Sequence, residues 1–164
     1  MKELMKAFAT PYSFFFHLEH ADGTKNHAAS RNNVVLIVTE LGGIGTVSQE
    51  CLQICERGIK RFLQACGVIQ AKTQIPATQP RILHAPDFSY YCYAMEEGLF
   101  EPVKGLGDEV MKGEVAGYTH FPQTPEKQSK LIYYEADGVL LCKRIPARVI
   151  RGDCVFQLGC DFTI

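Results

Sequence analysis

The sequence has no apolar run approaching the roughly 18 residues of a membrane-crossing helix, and its formal net charge is only −1. The first absence removes a helical membrane anchor from the expectations. The second removes the electrostatic basis for a nucleic-acid or anionic-membrane partner. Residues 1–10 lack the apolar core of a secretory signal, which points to a cytoplasmic protein. Paired cysteine spacing is missing too. The seven cysteines are odd in number, with Cys51, Cys55 and Cys66 on one predicted helix and the rest scattered among predicted strands. That pattern favours buried thiols in a reducing compartment over disulfides or a zinc cluster.

What is there is an ordinary globular composition, 46% hydrophobic and 21% charged over 164 residues, enough for one domain or two small ones. The stretch that organises the chain runs from Val34 to Thr46. Residues 34–38 are five apolar residues, four of them β-branched, and predict a strand buried on both faces. Thr39-Glu40 follows where the strand should give way to a loop. Gly42, Gly43 and Gly45 permit sharp turns, and Thr46 is expected to begin a helix with Gln49 in the capping-box position. In open α/β sheets, catalytic groups and ligands collect at the carboxyl ends of strands. Glu40 is therefore either a functional carboxylate or a residue that caps the following turn or pairs with a surface base.

Around this stretch the pattern predicts a short helix over 2–9, a strand over 12–18 and a short helix capped by Thr24 and running to Ser30. Asn32-Asn33 then turns the chain into residues 34–38. His17 and His20 flank Glu19, but positions three apart in a strand face opposite ways, so the two imidazoles should not converge on a metal. His27 is expected at the surface. From Thr46 to Cys66, Leu52, Cys55, Ile59, Phe62, Leu63 and Cys66 form an apolar stripe at helical spacing, and Gly67 is a natural C-cap. Strand, glycine turn and helix together make one half of a βαβ layer.

Residues 71–80 carry two prolines and no periodicity, which reads as a linker. Beyond it, short strands are predicted over 82–84, 88–94, 99–103, 115–119, 131–135, 139–143, 148–150 and 155–158, an all-β domain. It contains a repeat. Glu97-Gly98-Leu99-Phe100 followed by Val110-Met111-Lys112-Gly113-Glu114 returns as Asp137-Gly138-Val139-Leu140 followed by Val149-Ile150-Arg151-Gly152-Asp153. Two such units suggest interlocked sheets with approximate two-fold symmetry. The domain resembles the barrel-sandwich of biotinyl and lipoyl carriers, including a turn over residues 107–113. Its connection over 121–130 lacks the Met-Lys-Met signature, so Lys127 and Lys130 are read as parts of a scaffold. Of the other polar residues, His84 and His120 read as surface histidines that could also edge an active-site mouth. Glu96 and Glu97 form an acidic pair at a turn, open to an amino-bearing substrate or simply solvated. Tyr90, Tyr91 and Tyr93 fit a strand with alternating faces, and Arg148 could meet a carboxylate.

Thr39-Glu40-Leu41-Gly42-Gly43, the helix Ser48-Gln49-Glu50 through Glu56-Arg57-Gly58 to Leu63, the proline-bearing linker and Gly98-Leu99-Phe100-Glu101-Pro102 resemble the succinylglutamate desuccinylase/aspartoacylase family. Within it, the similarity is to members that deacetylate N-acetyl-diaminobutyrate. Leu106-Gly107-Asp108-Glu109-Val110 and the distal segment from Ala136 to Cys154 match as well, in the same order. The resemblance implies the later part of a zinc-dependent deacylase that hydrolyses the amide of an N-acyl amino acid or related small molecule. The implied fold class is α/β plus all-β: residues 1–70 as the C-terminal part of a carboxypeptidase-like α/β domain, 71–80 as linker, and 81–164 as a barrel-sandwich-like domain partly covering the active-site entrance.

In that family zinc is held by a His-x-x-Glu pair and a later His, and the strand-end glutamate activates the zinc-bound water; it corresponds to Glu40. No His-x-x-Glu occurs in the sequence. The expectation is therefore that zinc belongs to the complete enzyme, that none binds at the family site in this chain alone, and that the isolated chain is inactive. The alternative is a non-catalytic subunit. Exposed strand edges around residues 34–38 should drive self-association or capture of a missing N-terminal half.

Overall fold

The computed structural model describes residues 2–15, 23–43, 45–70 and 75–162. The chain divides into two compact units, Met1–Ile82 and Leu83–Ile164. Among the described residues no helix is long and apolar enough to cross a membrane.

In the first unit, helix α1 (Lys2–Phe8) is followed by strand β1 (Tyr12–Phe15) and helices α2 (Lys25–Arg31) and α3 (Gln49–Ala65). Local chemistry sets the helix ends. Thr24 caps α2 by accepting the His27 amide, and Asn33 takes a left-handed φ of 54° at its far end. There the amides of Asn33 and Val34 reach back to the carbonyls of Ser30 and Ala29, satisfying the last turn. Gly67 does the same for α3 at φ 70°, its amide and that of Val68 bonding to Gln64 and Leu63. The start of α3 differs from expectation. It begins at Gln49 with Ser48 as cap, the Ser48 hydroxyl accepting from the Cys51 amide at 3.1 Å. Thr46 instead closes the preceding turn, its amide and hydroxyl both donating to the Gly43 carbonyl.

The α1–α3 contact is built on Gly58. A Cβ there would lie 2.5 Å from the Phe8 ring, so only glycine lets the two helices approach this closely. Arg61, one turn on, donates to the carbonyls of Ala7 at 3.0 Å, Phe8 at 2.6 Å and Pro76 at 2.8 Å, tying off the end of α1. Because α1 has only seven residues, it covers one strip of α3. Leu52 and Ile59, expected on the buried stripe, remain 47% and 46% exposed.

The expected strand over 34–38 is not formed. The segment has no helix or strand assignment and no ladder partner among the described residues, and Val34, Val35 and Val38 are each about half exposed. A strand exists only through pairing, and apolar sequence alone cannot supply a neighbour.

The second unit is β-structured. Strand β2 (Arg81–His84) crosses the boundary between the units, and strands β3 (Tyr91–Tyr93), β4 (Gly98–Pro102), β5 (Glu109–Val110), β6 (Val115–His120), β7 (Lys130–Tyr133), β8 (Gly138–Lys143), β9 (Arg148–Val149) and β10 (Cys154–Asp161) follow in order. One sheet has β10 paired with β2, β3 and β8, and β8 in turn with β5; the other has the order β7-β6-β4-β9. Every registered pair is antiparallel, and no closed barrel is formed among the described strands. The single strand expected over 88–94 is two elements. Asp87 accepts from the Ser89 amide and hydroxyl and winds Phe88–Tyr90 into a 3-10 turn before β3 begins.

The sequence repeat reappears in the register. Gly98 faces Val149 and Leu99 faces Arg148, while Gly138 faces Val110 and Val139 faces Glu109. Each copy thus pairs its first strand with the short second strand of the other. The glycine turns repeat as well: Gly113 donates to the Tyr134 carbonyl and Gly152 to that of Ala94. The acid closing each copy has a structural task, since the Glu114 carboxylate accepts the Met111 amide and the Asp153 carboxylate accepts the Ile150 amide. Phe100, Tyr134, Leu140, Val155, Phe156 and Leu158 fill the core. Phe156 meets Phe100 edge-on at 5.1 Å. Bulges in β10 turn the adjacent Val155 and Phe156 both inward.

The expectation of buried thiols is corrected. Of the seven cysteines only Cys92 is buried, while Cys66, Cys142 and Cys154 are exposed. Cys66 is the C-cap of α3.

Candidate active site

Glu40 lies just beyond the apolar run over 34–38, in the first unit, and is exposed. Gly42 and Gly45 follow with φ of 81° and 67°, so the chain turns away sharply just beyond the carboxylate. The turn is closed by Thr46 on Gly43. Glu40 takes no part in it, and among the described residues it makes no hydrogen bond or ion pair. Neither bland role, turn cap or partner of a surface base, is realised among them. Beside the run lies a mainly apolar cleft of about 430 Å³, walled by Met5, Phe14, Phe15, Ala29 and residues 34–38.

Among the described residues no three His, Cys, Asp or Glu side chains converge as a metal site. His17, Glu19 and His20 lie outside the described residues, and His27 is half-buried on α2.

In the second unit the other candidates pair among themselves. Glu96 is bound by Lys127 and, at 3.1 Å, by Lys130. Those hydrogen bonds, Lys127 first, hold its carboxyl below the ordinary glutamate range. Lys127 also sits 3.7 Å above the Phe121 ring. The two lysines weighed as carrier groups thus clasp the 121–130 connection instead. Glu97 pairs with Arg148 at 2.9 Å, which supplies the carboxylate partner left open for that arginine. His120 bridges Ser129 at 2.7 Å and Glu101 at 2.6 Å. Neither partner stands out in the sequence, because both contacts arise from strand pairing. His84 is half-buried and meets Phe162 edge-on at 4.9 Å. Of the three tyrosines, Tyr90 packs against the core from the 3-10 turn and Tyr93 is exposed.

Residues 1–66 match the model of the succinylglutamate desuccinylase/aspartoacylase catalytic domain. The chain is 36% identical over 151 residues to N-alpha-acetyl-L-2,4-diaminobutyric acid deacetylase of Halomonas elongata, a match covering 92% of this chain and 44% of that protein. Its fold superposes on succinylglutamate desuccinylase/aspartoacylase of Rhodobacter sphaeroides with a TM-score of 0.86 at 32% identity, over 98% of this chain and 48% of that one. The chain belongs to the succinylglutamate desuccinylase/aspartoacylase family. It also superposes on the product-bound ectoine utilization protein EutE (DoeB) of Ruegeria pomeroyi, with a TM-score of 0.88, 28% identity and coverage of 97% and 48% of the two chains. The chain therefore spans about half the length of the family members it matches, corresponding to their C-terminal half. Glu40 falls within the part matched by the family's catalytic-domain model.

Proposed function

We propose that this chain supplies the proton-handling carboxylate of an amide hydrolase acting on N-acyl amino acids or related small molecules, and that Glu40 is that carboxylate. The observation carrying this reading is an exposed glutamate with no internal partner, set at the end of an apolar run inside the catalytic-domain match. In such a reaction water attacks the acyl carbon, an O–C bond forms and the C–N bond breaks. Glu40 takes the proton from the attacking water and delivers it to the departing amine nitrogen, serving as base and then acid.

Residues 1–70 are the C-terminal part of the hydrolase domain, joined through 71–80 to a barrel-sandwich-like domain at 81–164. Zinc, which the family implies, finds no ligand set among the described residues, so no step is derived through it. The 164 residues alone are expected to be inactive, the rest of the site coming from polypeptide equivalent to the unmatched half of the relatives. Deacetylation of N-acetyl-diaminobutyrate tests the reading, measured with and without the unmatched N-terminal part of the Halomonas elongata deacetylase. Turnover should require that part and fall about 10²–10⁴-fold in Glu40→Gln; undiminished turnover by the variant would refute the role of Glu40.

A further inference from the structure

Strand register brings three chemically unlike side chains into one row on the second unit. Lys130 of β7 pairs with Thr119 of β6, so Ser129, one residue earlier, comes opposite His120. Glu101 of β4 pairs with Tyr118, and His120 lies two residues beyond Tyr118, on the same face of the strand. Two short contacts close the row. His120 Nδ1 lies 2.7 Å from the Ser129 hydroxyl oxygen, and its Nε2 lies 2.6 Å from the Glu101 carboxylate. The Tyr118 ring stacks on the imidazole, with 6.1 Å between centroids and 20° between planes. Ser129 itself is exposed.

A carboxylate only accepts hydrogen bonds. With a neutral imidazole, Glu101 therefore holds the ring proton on Nε2, and the Nδ1 lone pair is left for the Ser129 hydroxyl, which donates to it. A hydroxyl donating to a base that a carboxylate orients is the arrangement of an activated nucleophile. We propose that Ser129 is an acyl-accepting nucleophile, with His120 as its general base and Glu101 as the positioning residue that sets the tautomer. The substrates are small activated esters, which reach an exposed serine freely and whose weakly basic leaving groups ask least of the site. Ser129 Oγ attacks the acyl carbon and forms a new O–C bond while its proton passes to His120 Nδ1. The ester C–O bond breaks, and the leaving oxygen takes that proton. Water then cleaves the acyl-serine by the same route, with His120 again as base, and restores the hydroxyl. No residue of the first unit takes part.

The test uses the full 164-residue chain with two probes. One is p-nitrophenyl acetate, followed by p-nitrophenol release. The other is an alkyl fluorophosphonate, whose P–F bond the serine oxygen displaces, with the adduct located by peptide mass spectrometry. The expected result is multiple ester turnovers and a phosphonyl adduct at Ser129, both lost in Ser129→Ala. His120→Gln should slow labelling about 10²-fold or more. Glu101 acts through the base on acylation and deacylation alike, so Glu101→Gln should lower kcat for the ester at least about tenfold and leave KM unchanged. Hydrogen exchange across β4 and β6 verifies that the variants remain folded. No adduct at Ser129, turnover undiminished in Ser129→Ala, or labelling at full rate in His120→Gln would each overturn the proposal. A Glu101→Gln protein with unchanged kcat would overturn the positioning role.

Discussion

Gly138 sits opposite Val110 across the β5–β8 pair, and no side chain could replace its hydrogen there. A Cβ would lie 2.7 Å from the Gly159 carbonyl oxygen. Its counterpart Gly98, opposite Val149, would place a Cβ 2.5 Å from the His120 carbonyl. Gly138→Ala and Gly98→Ala should each lower the stability of the second unit by about 1–3 kcal/mol through overpacking. Gly113→Ala, with open space but φ of 87°, should cost about 1–2 kcal/mol. Denaturant unfolding followed by tyrosine fluorescence measures all three; a neutral Gly138→Ala would contradict this packing.

The Glu96 clasp gives the second unit an acid-sensitive element. Its carboxyl is held below the ordinary value by the hydrogen bonds from Lys127 and then Lys130. A depressed folded-state pKa contributes stability above the unfolded glutamate value, about 4.3, and that contribution is lost as pH falls through the folded value. Unfolding of Glu96→Gln should therefore be less steeply pH-dependent below that range than unfolding of the parent. Added salt should narrow the difference at neutral pH, since the clasp lies at the surface. Identical acid limbs would show that the clasp contributes nothing.

Tyr134 is 1% exposed, and its hydroxyl has no hydrogen-bond partner among the described residues. Burial pushes its pKa up to about 12. A phenol protonated in the folded state and ionised in the unfolded state contributes stability below the unfolded value, about 10, and loses it progressively up to the folded value. Tyr134→Phe removes the orphaned hydroxyl while keeping the ring against Phe156. It should be neutral or stabilising by about 1 kcal/mol, and an ultraviolet titration should lose a late-ionising tyrosine. A marked destabilisation would mean that the hydroxyl is satisfied in solution.

Gly58→Ala tests the first unit. Alanine has the better helix propensity by about 1 kcal/mol, but its Cβ would meet the Phe8 ring at 2.5 Å. The steric term should win, leaving a net loss of about 1–2 kcal/mol and faster exchange in α1. A stabilised variant would show that Phe8 can move aside.

Much of this was legible because it is local. Thr24, Asn33 and Gly67 mark helix ends by their own side chains or backbone freedom, and alternating burial marks the β strands. The repeat from Gly98 to Glu114 and from Gly138 to Asp153 was visible as sequence, and the reciprocal register explains it. What escaped prediction depends on neighbours. Residues 34–38 have the composition of a buried strand, but pairing is decided elsewhere. Residues 88–94 read as one strand until Asp87 bonds back to Ser89. The Glu96 clasp and the His120 bridge join residues far apart in sequence. Glu40 could be found because it is the lone carboxylate between an apolar run and a glycine turn, although no spacing could show that it would lack an internal partner.

The most direct test is acetate release from N-acetyl-diaminobutyrate by the complemented protein, comparing Glu40 with Glu40→Gln at equal occupancy of the complex. The carboxylate's role predicts a loss of about 10²-fold or more with complex formation unchanged. Equal rates from the two proteins would contradict it.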